Sequence, residues 1–370
     1  MPLTQPNYFT TGAQFPPDGE AKRQRDLRDQ KILYENTPRA FQILNPPEGD
    51  TGVPLQKRFV TLDGTTVSYP KYRVNLFRKI SNFWKDMLFA FPPIVDAQSR
   101  GENRNIDDLI QKILRASTNV AIDTSRYGTG VYLFTQDENN EFRVEAVEAL
   151  YWFPVVSVED PRKILGDIIA VPYTSQPDRK DTVHHDRIRV SRFIIGQPAT
   201  IQIFKMEGNI LQGQLEKFEQ GVVEQRPIVT VPNGYELDHY GESDYLDLLD
   251  LVSEMNRRIS SNSVVLDRHT NPHMQGPRSA IKVVNGKAQI DIAGSYLPLD
   301  EDDQRAEYIT WDADLEANFT QMQRVMDLFF AMSNTSATAL GMQDQGTNST
   351  TGAALRKQLY SSFLLSLIHI

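Results

Sequence analysis

Two amphipathic helices separated by a short β module constrain this chain more than any other feature. Leu315, Phe319, Met322, Met326 and Phe329 recur at alternating spacings of four and three, which lines one helix face with apolar side chains. Leu248, Val252, Met255, Ile259 and Leu266 keep the same rhythm upstream, with Asn262 in the slot where another apolar residue would fall. An isolated Asn in an apolar seam weakens packing but fixes register and partner choice. Stripes of this length bury well only against other helices.

The flanks agree with this reading. Ser243 is placed to cap the first helix with Asp244 and Asp247 behind it, and Asp312 the second with Asp314 and Glu316, because acids suit the exposed amides of a helix start. Pro272 and Pro277 end the first helix after about His269. Ile281 to Ile292 then reads as two short strands about an Asn285-Gly286 turn. Beyond the second helix, Asn334 to Thr350 is built of Ser, Thr, Asn, Ala and Gly with Asp344 as its one charge, and so long a loop in a compact domain needs a reason.

Composition narrows the function classes. The chain has 370 residues, enough for two or three substructures with their own cores, and no Cys. Disulfides, thiolate metal sites and thiol nucleophiles are therefore excluded. The first residues lack an apolar core behind basic ones, so no secretory signal is expected, and no run approaches the roughly twenty apolar residues of a membrane span. A net charge of −9 argues against gripping nucleic acid over the whole surface, though a conduit for a sliding duplex is served by weak attraction.

In order, Met1 to Pro17 reads as loose, and Glu20 to Glu35 as a solvated helix whose Lys22, Arg23, Arg25, Arg28 and Lys31 pair with Glu20, Asp26 and Asp29. Arg58 to Val67 reads as a hairpin about Asp63-Gly64. Tyr72 to Ala90 is a helix with an aromatic-rich apolar face (Phe77, Ile80, Phe83, Trp84), and Asp107 to Thr124 is another. Strands follow at Gly130–Gln136, Phe142–Glu148, Ala149–Val158, Gly166–Thr174, Ile188–Ile195, Thr200–Gly208 and Gln225–Asn233. Helices followed by a run of strands predict an α+β domain.

This order of a helix, a small β insert, a helix, a Gly/Thr/Asn-rich loop and a helix opening TGAALRKQL (Thr351 to Leu359) resembles the portal proteins of tailed double-stranded DNA bacteriophages. So does YRVNLFRKISNFWKDMLFAFPP (Tyr72 to Pro93). The resemblance implies an N-terminal arm at 1–52, an α+β wing at 53–240, a first stem helix at 241–270, a clip at 271–311, a second stem helix at 312–333, a tunnel loop at 334–350 and the start of a long wing helix at 351–364. The last residues, 365–370 (LSLIHI), read as a translated sequencing adapter, which predicts a truncated reading frame.

By the same resemblance the chain forms a ring, expected to be a dodecamer, at one capsid vertex of the virion after assembly in the host cytoplasm. Its partners would be the large terminase subunit, the major capsid and scaffolding proteins, a head-completion adaptor and transient double-stranded DNA, with no membrane and no cofactor. Asn334, Thr335, Ser336, Thr338, Gln343, Asp344, Gln345, Thr347 and Asn348 would face the DNA from the tunnel loop. Asp247, Asp250, Glu254, Arg257 and Arg258 would line the channel along the stem, with Glu254 pairing to Arg258 one turn on. The subunit interface would use Leu248, Val252, Met255, Ile259, Leu315, Phe319, Met322, Met326 and Phe329, and the clip block Asp300, Glu301, Asp302 and Asp303 would meet the terminase.

Enzyme signatures are scarce: the sequence has no phosphate-binding G-x-x-x-x-G-K-[ST], no H-E-x-x-H and no G-x-S-x-G. Gly128-Thr129-Gly130 precedes a strand, so it reads as a turn and not a dinucleotide fingerprint. His184-His185-Asp186, and His269 with His273, read as loop residues. The expectation is a non-enzyme. Two alternatives stay open: a metal-dependent nuclease using Asp160, Asp178 and Lys180, and a capsid-associated scaffold protein that forms no channel.

Overall fold

The structure is a computed structural model that describes residues 3–4, 8–44, 59–60, 66–67, 72–89, 103–136, 141–175, 185–234, 239–270, 273–277, 282–284, 287–289, 296–299, 307–309 and 315–335. Its helices are α1 (Ala21–Glu35), α2 (Ala40–Leu44), α3 (Leu76–Phe89), α4 (Asn103–Tyr127), α5 (Leu249–Thr270) and α6 (Leu315–Met332). The strands are β1 (Phe59–Val60), β2 (Thr66–Val67), β3 (Thr129–Gln136), β4 (Phe142–Ala146), β5 (Trp152–Val156), β6 (Ile164–Tyr173), β7 (Arg187–Ile194), β8 (Pro198–Glu207), β9 (Ile210–Val222), β10 (Ile228–Pro232), β11 (His273–Pro277), β12 (Lys282–Val284), β13 (Lys287–Gln289), β14 (Tyr296–Leu299) and β15 (Glu307–Ile309). The class is α+β. Two compact units emerge: Met1–Ala40, Asn75–Leu248 and Met332–Ile370 form the first, Phe41–Val74 and Leu249–Ala331 the second.

The first unit is built on an antiparallel sheet in the order β5-β6-β7-β8-β9 and a smaller one, β10-β3-β4. Side chains alternate across the larger sheet. Phe153, Val155, Ile168, Ala170, Ile188, Val190, Phe204 and Met206 fill one face, and Trp152, Ile169, Phe193 and Ala199 the other. The second face is covered by Leu27 of α1, Tyr127 at the end of α4, Val131 and Ile228. Burial on both sides accounts for the nearly continuous apolar runs of β5 and β6.

The N-terminal segment covers the first face and is not loose. Leu3, Phe9 and Phe15 are buried in that core, Leu3 bridges Val155, and Gln14 bridges Ile210. Each fully buried Phe contributes about 2 to 3 kcal/mol by removal of apolar area from water.

Helix α1 is likewise no solvated arm: Gln24, Leu27, Gln30 and Leu33 are buried. Gln24 Nε2 donates to the Leu150 carbonyl (2.6 Å), and Arg23 donates to the carbonyls of Ala149 and Trp152 while lying over the Tyr240 ring (4.3 Å). The buried face uses glutamines and a snorkelling Arg, so hydropathy does not reveal it. Asn36, in the left-handed region (φ 54°), ends the helix.

Strand β9 was missing from the sequence reading because Gly213 to Val222 is exposed and polar, without the alternation that marks a half-buried strand. Helix α3 begins later than expected. Asn75 caps it, its Oδ1 accepting from Arg78 N (3.1 Å).

In the second unit, the residues before α3 run extended along α5. Tyr72 N donates to Ser260 Oγ (3.1 Å) and Val74 N to Asn256 Oδ1 (2.9 Å), so a polar stripe on α5 satisfies a passing backbone. Ser253 Oγ donates to the Leu44 carbonyl (2.8 Å). The expected β1–β2 hairpin is present, paired Phe59↔Val67, and belongs to this unit although the sequence grouped it with 53–240. Between α5 and α6, β11 pairs parallel with β14 and antiparallel with β15, while β12 and β13 form the hairpin read from Asn285-Gly286, with Val284 opposite Lys287.

Candidate functional site

Glu254 sits on the flank of α5 with its carboxylate shared by two guanidiniums. Arg257 Nε donates to Oε2 (2.8 Å) and Arg258 Nε to Oε1 (2.7 Å). These are the i,i+3 and i,i+4 distances of a helix, so the sequence spacing alone produces the cluster. Arg258 also donates Nη1 to Asn318 Oδ1 of α6 (2.8 Å), tying the two helices of the second unit. Burial alone would raise the Glu254 pKa, but the hydrogen bonds and charges of Arg258 and Arg257 hold it below the usual carboxylate range. Asp250 is exposed one turn earlier, and Asp247 is exposed on the 3-10 turn Leu246–Leu248 of the first unit.

The expected subunit-interface residues divide. Leu248, Val252, Met255 and Phe329 are buried within the chain and therefore cannot also contact a neighbouring copy. Ile259, Met322 and Met326 are half-buried, and the Leu315 side chain lies outside the described residues. Phe319 is 45% exposed. The apolar surface that α6 leaves in solvent is instead largely Leu328 and Met332, 54% and 51% exposed, on the flank beside the buried Val325 and Phe329. Gln321, Arg324, Leu328 and Met332 follow one another at spacings of three, four and four, which aligns them on one face. Of the stripe, Phe329 is buried and Met322 and Met326 half-buried, so its C-terminal part marks the face of α6 turned inward, while Phe319 stays in solvent.

Of the predicted DNA-facing loop, Asn334 and Thr335 are described. Asn334, exposed and in the left-handed region (φ 51°), follows the last turn of α6, the conformation that commonly ends helices. Thr335 is buried against Ser333, with 2.6 Å between their hydroxyls, which removes it from the solvent-facing set. Ser336, Thr338, Gln343, Asp344, Gln345, Thr347 and Asn348 lie outside the described residues, as do Asp300, Glu301, Asp302 and Asp303.

Ser243 and Asp244 do not cap α5, which starts only at Leu249 after a 3-10 turn. They hold the end of α4. Ser243 Oγ donates to the Arg126 carbonyl (2.6 Å), Ser125 Oγ donates to Asp244 Oδ2 (2.5 Å), and Asn233 Nδ2 donates to Asp244 Oδ1 (2.7 Å). Beneath them Ser81 Oγ lies 2.7 Å from the Tyr245 hydroxyl and 3.0 Å from Ser125 Oγ. Burial pushes the Tyr245 pKa up, so the phenol stays protonated and available as a donor.

Two further buried polar groups are completed by partners from distant segments, which no local pattern in the sequence announces. Asp167 accepts from the Trp152 indole (2.9 Å) and, through both oxygens, from Arg226 (2.8 Å each). At the end of α4, Arg126 donates to Asp123 (2.7 Å) with its guanidinium over the Tyr127 ring (4.2 Å), while Tyr127 and Lys31 both donate to Glu148 (3.0 and 2.9 Å). Burial pushes the Asp123 pKa up to about 6 even though Arg126 opposes the shift.

The nuclease set is not brought together among the described residues. Asp160 Oδ1 accepts from Arg162 N (3.1 Å) within its own exposed turn, and Asp178 and Lys180 lie outside the described residues. No group of three His, Asp or Glu able to hold a metal occurs among the described residues. His269 lies within α5 and His273 on β11, not in loops. Gly128 (φ +75°) is a turn whose backbone meets Gly241 so closely that a Cβ at either would lie within 2.3 Å of the other's carbonyl oxygen.

The sequence matches no protein-family model and no curated protein. Among solved structures, the chain is similar to one described as "Neck of native GTA particle computed with C12 symmetry", with TM-score 0.44 and 12% identity over 77% of this chain and 71% of that one. It is also similar to "Neck of empty GTA particle computed with C6 symmetry", with TM-score 0.41 and 14% identity over 76% of this chain and 71% of that one.

Proposed function

We propose that this chain is a portal-like subunit: a non-catalytic protein that assembles head-to-tail into a ring at a capsid vertex, through which double-stranded DNA passes during packaging and ejection. The observation that carries the reading is the second unit, in which two long amphipathic helices flank a small β module in the order helix, sheet, helix. In this reading α5 and α6 are the stem, β11 to β15 the clip and the first unit the wing. The clip end would dock the large terminase subunit, and later a head-completion adaptor.

Head-to-tail contacts close a ring only if each copy offers two different surfaces. We assign one of them to the exposed side of α6, with Leu328 and Met332 as its apolar centre, in place of the inward-facing stripe. The flank of α5 suits a channel wall. Asp250 and Glu254 balance Arg257 and Arg258, so a phosphate backbone would meet a nearly neutral surface with weak, screened attraction and could slide without being trapped.

Negative-stain imaging of the purified protein tests the reading. Rings with a central hole are expected, and a population of compact single copies at micromolar concentration would overturn it.

A further inference from the structure

Strand β9 is the outer strand of the five-stranded sheet, and every residue from Gly213 to Val222 is exposed. Among the described residues, backbone bonds from outside the sheet reach only its beginning, where Gly12 N donates to Leu211 O (2.7 Å) and Leu211 N donates to Ala13 O (2.9 Å). Among the described residues no strand covers the remainder. The open edge carries Leu215, Phe218 and Val222, at 49%, 54% and 59% exposure, and it contains no Pro. A long exposed edge strand that carries apolar side chains among polar ones is a template for another strand.

We propose that β9 pairs antiparallel with β9 of a second copy about a two-fold axis through Phe218, joining two five-stranded sheets into one. The charge pattern is compatible with a second copy in this register and rules out the adjacent ones on charged residues. Two copies related by an axis normal to the sheet keep each side chain on its own face, so the axis must pass through a residue. Within Glu216 to Glu219, an axis through Glu216, Lys217 or Glu219 sets that charge against itself, which is destabilising. Within one copy Lys217 already pairs with Glu219 two residues on (2.5 Å); an axis through Phe218 sets each Lys217 opposite the other copy's Glu219 as well, Glu216 opposite Gln220, and Phe218 opposite Phe218.

Inside each copy Ile201 is already the partner of Phe218 across β8 and β9. The pairing therefore extends a row from Ile201 through both Phe218 rings to the other Ile201, and aromatic pairs on one face are among the favourable cross-strand contacts. The contact is isologous and closes after two copies, so it does not depend on the ring reading.

The chain has no Cys, which allows a clean cross-linking test. Directly opposed residues of an antiparallel pair have Cβ atoms about 4.5 to 5.5 Å apart, close to disulfide range. Phe218→Cys should form a covalent dimer under mild oxidation at concentrations where Val158→Cys, on a turn and 76% exposed, remains uncrosslinked. Equal yields from the two variants would overturn the pairing. Lys217→Glu should weaken association roughly tenfold, and Lys217→Glu/Glu219→Lys should restore it, because two pairs turn from attractive to repulsive and back. Unchanged association in the single variant, or no recovery in the double, would overturn the register.

Discussion

At the scale of single residues, Asp123 gives the sharpest pH dependence. Its carboxyl has a pKa of about 6 in the folded chain against 3.8 for the free group, so the native state holds the proton more tightly than the unfolded one. Stability from this group is fully present below about pH 4 and is lost as pH rises through 6, a change of about 3 kcal/mol. Asp123→Asn should remove that slope. Melting temperatures of both proteins at pH 4.5 and 7.5 check it: the wild-type minus variant difference should fall with rising pH, and a constant difference contradicts the assignment. Asp167 is a buried side chain whose two oxygens are both taken up by hydrogen bonds. Its indole and guanidinium donors arrive from 15 and 59 residues away, which is why no local pattern announces them.

Among elements, the N-terminal segment shows how a Pro-rich stretch takes on a structural role. Pro16 and Pro17 restrict φ where the segment leaves the sheet, which lowers the entropy cost of ordering the chain there. Phe9, Phe15 and Leu3 then enter the core, with the Phe9 and Phe153 rings 5.3 Å apart edge to face. Phe9→Ala should destabilise the protein by about 3 to 5 kcal/mol, read as a drop in the urea midpoint at unchanged slope. A change under 1 kcal/mol would show that the segment does not hold the sheet.

Arg192 lies under this segment, giving hydrogen bonds to the Phe9 carbonyl and Gln202. Burial lowers its pKa to about 10, so it stays charged at neutral pH, an ionic group enclosed in the core beneath the N-terminal segment.

For the whole molecule, the exposed side of α6 carries the assembly prediction. Leu328→Glu should keep the protein from forming rings, measured by sedimentation velocity, while its folding stability stays within about 0.5 kcal/mol of the parent because the side chain is already half in water. Val325→Glu, on the buried side of the same helix, should instead unfold the second unit. Rings that survive Leu328→Glu would place the subunit contact elsewhere.

What the sequence determined by itself is the set of elements whose signal is local. The two long helices came from their apolar period, the β12–β13 hairpin from Asn285-Gly286, and the Glu254 cluster from helical spacing. Only the tertiary structure decided which side of α6 faces inward, that α1 and the N-terminal segment belong to the core, and that β9 is a strand. Periodicity fixes that a helix has an apolar face but not what covers it. A strand whose side chains stay in water has no hydrophobic alternation to read, and its existence rests on backbone pairing with β8, a contact formed only once the sheet is folded.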